Sequence, residues 1–91
     1  MNVKQAIAAA KQYTREIFAD EAIDNVGLEE VEFDDDKNVW AVTIGFSRPW
    51  LNDNMPASLQ IFPQKRRDYK VIRIDDGSKK ILSVKNRETV V

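Results

Sequence analysis

The chain has 91 residues, 43% hydrophobic and 32% charged, with a net charge of −1 and neither cysteine nor histidine. A chain of that length makes one domain and buries about 60–65% of its unfolded surface, which leaves room for one helix on one sheet. The composition is too apolar for disorder and too charged for a membrane protein, and the two missing residue types remove disulfides, the usual zinc ligands, the commonest general base and the Ser–His and Cys–His dyads.

Residues 2–20 are predicted to form an amphipathic helix. Val3, Ile7, Ala10, Tyr13 or Thr14, and Ile17 with Phe18 recur at helical spacing, and the run AIAAA has high helix propensity. Lys4, Lys11, Arg15 and Glu16 fall outward. Asp20 to Gly27 breaks the rhythm, with the glycine as the stop. A strand is expected over about 28–34, with Val31 and Phe33 on one face and Glu30 and Glu32 on the other. The acids of DDDKN make a turn. The second strand, 38–47, has the most sustained alternation in the chain. It sets Trp40, Val42, Ile44 and Phe46 against Val39, Ala41, Thr43, Gly45 and Ser47.

A long connection, 48–67, separates this hairpin from the next. Connections of such length tend to be functional, and Ser58 to Phe62 within it is a candidate extension of the third strand. That strand is expected over 68–75. Asp75, Asp76, Gly77 and Ser78 then supply turn chemistry, and a fourth strand covers 80–87 with Leu82 and Val84 sharing a face. The order predicts an α+β fold, one N-terminal helix on a four-stranded antiparallel meander. No signal peptide and no apolar run of transmembrane length is visible, so a soluble cytoplasmic protein is expected.

The small net charge hides an asymmetry. Residues 1–47 carry four Lys/Arg against ten Asp/Glu, a net of −6, and residues 48–91 carry ten against five, a net of +5. Either the halves neutralise each other across the fold, or a basic face awaits an acidic partner.

The helix with AIAAA, the WAVTI strand and the hairpin YKVIRIDDGSKKILSVK resemble the PepSY-type domain and, more broadly, cystatin-like helix-on-sheet folds. Trp40, Val42, Val71, Ile74, Asp75, Gly77, Ile81 and Leu82 carry the likeness, which spans about three quarters of the chain. Two features depart from that pattern: no export signal is seen, and the 48–67 connection is long. The resemblance implies a non-catalytic module that binds or restrains another protein, sometimes a peptidase. It supplies no catalytic residues.

Other motifs are weighed on their chemistry. Asp34, Asp36 and Asn38 have the spacing that opens an EF-hand loop, but Val39 and Gly45 stand where that loop needs glycine and a bidentate glutamate. Glu29, Glu30 and Glu32 read as a solvated strand face. Ser47, Ser58, Ser78 and Ser83 lie in no nucleophile motif, and glycines at 27, 45 and 77 build no phosphate loop. No catalytic residue, metal or cofactor is expected.

Attention falls on the connection and its flanks. Arg48, Trp50, Leu51, Met55, Phe62, Lys65, Arg66 and Arg67 combine the residue types enriched at interfaces with a basic cluster. Trp50 is either a lid over one end of the core or a contact for a partner. The leading reading is a non-enzymatic binding module that meets a protein partner or a second copy of itself, acting as an inhibitor or regulatory accessory. One alternative is a nucleic-acid accessory protein using Lys65, Arg66, Arg67 and Lys70 between Phe62 and Tyr69, against which stands a pI of about 5.4. A further alternative is a small-ligand binder or enzyme with a pocket between helix and sheet.

Overall fold

The structure, a computed structural model, describes residues 1–48 and 67–87. One helix, α1 (Val3–Ile17), packs on a sheet of four antiparallel strands, β1 (Asp24–Asp34), β2 (Val39–Ser47), β3 (Arg67–Asp75) and β4 (Ile81–Asn86), in spatial order β1-β2-β3-β4. This is the α+β arrangement expected from the element order. Among the described residues no helix is long and apolar enough to cross a membrane.

The helix begins with a reciprocal cap. The Asn2 side chain accepts the Gln5 N–H at 2.8 Å, and the Gln5 side chain accepts the Asn2 N–H at 2.9 Å, so two donors that the first turn leaves orphaned are satisfied. The helix stops three residues earlier than predicted. Ile17 is its last residue, a single 3₁₀ turn (Ala19–Glu21) follows, and Ala22 turns left-handed at φ 49°. Gly27 is not the stop. It lies inside β1, which starts at Asp24 and is four residues longer at that end than expected. The acids and asparagine of this stretch looked like loop chemistry; instead they sit in a strand whose pairing slips between Asp24 and Gly27 and again between Leu28 and Glu30.

The buried helix face keeps Ala10 and Thr14 of the predicted stripe but adds Ala6 and leaves the ends of the stripe exposed. Ala6, Ala10 and Thr14 are fully buried, whereas Val3 and Ile17 are each 42% exposed. Small residues let the helix backbone approach the sheet, where Val42, Ile44, Phe46, Ile72 and Ile74 fill the space between the layers. The Thr14 hydroxyl donates to the Ala10 carbonyl at 2.7 Å, so its polarity is absorbed within the helix.

On β2 the expected alternation holds for Val42, Ile44 and Phe46, which meet the helix. Trp40 is half-buried against the same core, tilted on Phe33 with ring centroids 4.7 Å apart, and its indole N–H donates to Asp76 at 2.9 Å. One pairing differs from expectation in β4. The register slips between Arg73 and Ile74, so Leu82 does not join Val84 against the core and stands 53% exposed.

Candidate functional site

The face of the sheet away from α1 is built from the alternate residues of each strand, and two unlike regions share it. At the end where β2 finishes and β3 begins, Arg67 reaches from β3 across β2. Its Nη2 donates to the Asn25 carbonyl of β1 at 3.0 Å and lies 3.5 Å from the Glu29 carboxylate. The crossing passes over Gly45, where an added Cβ would lie 2.9 Å from both Arg67 Nη2 and Glu29 Oε1. A glycine inside a strand marks a close approach of this kind. Thr43, Gly45 and Ser47 are buried on the side that the alternation had set opposite the core.

At the other end, near both hairpin turns, the same face is open. A groove of about 580 Å³ is lined by Glu32 and Asp34 of β1, Val39 and Ala41 of β2, Arg73 of β3 and Leu82 of β4, with Phe33, Asp35 and Lys37 at its rim. The floor sets Val39, Ala41 and Leu82 beside the exposed Arg73, and the β1 wall is acidic. Glu30, Glu32 and Asp34 take successive outward positions on β1, opposite Thr43, Ala41 and Val39. Among the described residues Glu30 and Glu32 enter no ion pair. On the helix side of the same strand Leu28 and Phe33 are 39% and 38% exposed. Sequence reasoning missed this groove, because the slip that releases Leu82 outward depends on the pairing of β3 with β4.

The turns beside the groove are tied down by carboxylates. Asp34 accepts the N–H groups of Asp36 at 3.1 Å and Lys37 at 3.2 Å. Asp34, Asp35 and Asp36 are all exposed, and their oxygens come within 4.8 Å of one another. Local backbone bonding accounts for the order of this turn. In the second turn the Asp75 carboxyl is held below the ordinary value of 3.8, first by the backbone N–H and then by the hydroxyl of Ser78, with Lys80 nearby. Asp76 is held below the same value chiefly by the Trp40 indole N–H, and its carboxylate lies 3.5 Å from the N-terminal amine.

Two of the residues predicted to meet a partner are described, and both engage their charge internally. Arg48 is only 12% exposed at its side chain. It pairs with Glu21 and, at 2.6 Å, with Asp68, while its guanidinium lies 5.1 Å from the Phe18 ring centroid and 5.4 Å from that of Phe46. Arg67 is the strap over Gly45. Trp50, Leu51, Met55, Phe62, Lys65 and Arg66 lie outside the described residues, as does the Ser58–Phe62 extension. Of the basic set weighed for nucleic acid, Lys70 donates to the Asn86 side chain and stands 5.9 Å from the Phe18 centroid. Between helix and sheet, where a ligand pocket was considered, Phe46, Ile44, Ile72, Ile74 and Val42 are fully buried and in contact.

No family model, no curated protein and no solved structure matches the chain. The likeness to the PepSY-type domain therefore rests on the residues quoted for it.

Proposed function

We propose that the chain is a non-enzymatic protein-binding module, and that its described docking surface is the β1 side of the sheet. The carrying observation is the coincidence, on one strand, of three features. Nothing among the described residues pairs with the outer edge of β1. Acids repeat along one side of it, and a groove lined by Val39, Ala41, Leu82 and Arg73 adjoins it. An unpaired strand edge offers a row of backbone donors and acceptors to an incoming strand. The occupant that fits is an extended protein segment alternating basic and apolar residues. Its basic side chains would meet Glu30, Glu32 and Asp34, and its apolar ones would meet Leu28 and Phe33.

The test uses the isotopically labelled chain and two synthetic peptides, one alternating Lys with Val and one alternating Glu with Val. The Lys–Val peptide is expected to shift the amide resonances of Leu28 to Asp34 and of the groove floor, and the Glu–Val peptide to leave them in place. Equal response to both peptides, or none to either, overturns the reading.

A further inference from the structure

Among the described residues the acidic and basic strands lie at opposite edges of the sheet. The meander sends β1 to one edge of the sheet and β4 to the other. The β1 edge carries Asp24, Glu29, Glu30, Glu32 and Asp34 and no base. The β4 edge carries Lys80, Lys85 and Arg87 at its strand and flanks and, among the described residues, no acid, and all three are exposed. Among the described residues neither edge is paired with a further strand. Charged residues on an edge normally block association. Here each edge blocks pairing with its own kind, since a β1–β1 contact would set acid against acid and a β4–β4 contact base against base. Neither blocks the other.

The strand directions agree. Each strand runs antiparallel to its neighbour, so β4 runs opposite to β1. A second copy set beside the first in the same orientation would lay its β1 antiparallel to β4 and continue the sheet with both helices on one face. The faces agree as well. On the side away from the helix β1 presents Glu30, Glu32 and Asp34, and β4 presents Ser83 and Lys85. On the helix side β1 presents Val31 and Phe33, and β4 presents Val84. Registers that keep the faces in phase put Lys85 opposite Glu30 or Glu32, and Val84 opposite Phe33 or Val31.

We infer that the chain associates with itself head to tail, β4 of one copy adding to β1 of the next. This deepens the reading of β1 as a docking edge, on which it rests, by naming a second copy as the occupant. The contact is heterologous, so it grows into chains of copies unless the rotation between them closes a ring. It is driven in part by exposed charges, so salt weakens it.

Sedimentation of the purified chain over a wide concentration range tests this. The weight-average mass should rise with concentration at about 50 mM salt and fall back toward the monomer at about 500 mM. Glu30→Lys with Glu32→Lys should make the chain monomeric, as should Lys85→Glu with Arg87→Glu. Mixed together, the two variants should associate again in alternation, because the wild-type edges that remain pair with each other and the two reversed edges are complementary as well. Should either pair disturb folding, Glu32→Lys and Lys85→Glu alone make the same comparison. A monomer at every concentration, association untouched by either reversal, or no association in the mixture overturns the inference. If self-association is absent while the Lys–Val peptide still shifts β1, only the identity of the occupant has failed.

Discussion

Gly45 shows how one missing side chain organises a face. Arg67 can lie across β2 only because position 45 carries no Cβ, and from there it joins β3 to β1. Both groups that a Cβ would meet are the ends of flexible side chains. Gly45→Ala should therefore displace the strap without breaking the strand. In the wild-type background the loss of the Glu29 contact, about 0.2–1 kcal/mol for a partly exposed pair, offsets the gain from stiffening the unfolded chain, about 0.4–1 kcal/mol. With Arg67→Ala already in place there is no strap to lose, and only the flexible Glu29 side chain has to move aside. A double-mutant cycle by denaturant unfolding should show Gly45→Ala stabilising in the second background and not in the first. Additive effects would mean that the strap does not hold in solution. The aspartates of the second turn make a separate prediction. Asp75 and Asp76 have folded-state values below 3.8, so each adds stability above that value and loses it as pH falls through the lowered one. Thermal melting between about pH 5 and pH 2 should fall less steeply for Asp75→Asn than for wild type. An unchanged slope would show that the Ser78 bonds do not favour the ionised form.

At the level of the elements, the helix is held by contact between small residues and a bulky sheet. Ala6 and Ala10 are fully buried where α1 crosses the sheet, while Ala8 faces outward. Ala10→Leu should overpack this contact and cost about 1–3 kcal/mol. Ala8→Leu, with the same added volume on the exposed face, should stay within about 0.5 kcal/mol of wild type. Equal costs in urea unfolding would mean that the helix does not sit with this face down. The alanines also explain why only the middle of the hydrophobicity stripe read from the sequence, Ala10 and Thr14, is fully buried. Val3 and Ile7 weigh more on any scale, but the space over β2 is taken by Phe46, Ile44 and Val42, and only a small residue fits above them.

Across the whole molecule, stability and charge follow the order of the strands. β2 and β3 are paired on both sides and bear the buried residues of the sheet, while β1 and β4 are edges. Native-state hydrogen exchange should therefore be slowest at Val42, Ile44 and Ile72, where opening approaches global unfolding. It should be fastest at the outward-pointing amides of β1. Protection of those amides as concentration rises would map the self-association onto the edge proposed for it. Uniform exchange across the four strands would show that the edges are no weaker than the centre. Charge follows the same order because the acidic strand comes first in the meander and the basic strand last. Among the described residues the halves meet at a few crossings, such as Glu21 with Arg48 and Glu29 with Arg67.

Local chemistry was enough to write down most of the architecture. The period-2 run from Trp40 to Phe46, the acidic first turn and the Asp-Gly second turn each act through neighbours in the chain, so the helix and the two hairpins could be placed without knowing what they pack against. The stop at Ala22 and the early start of β1 could not, because Asp24 and Asn25 have loop propensity, and their place in β1, with Asn25 left-handed at φ 55° inside a register slip, is set by pairing with β2. The docking surface was half visible. The acids of β1 could be read off, but the strap on Arg67, the outward turn of Leu82 and the separation of the charged edges all involve residues distant in sequence. A pattern along the chain specifies which side chains share a face. Which faces are covered, and which are left open, depends on the pairing of strands, and that is settled only when the whole sheet has formed.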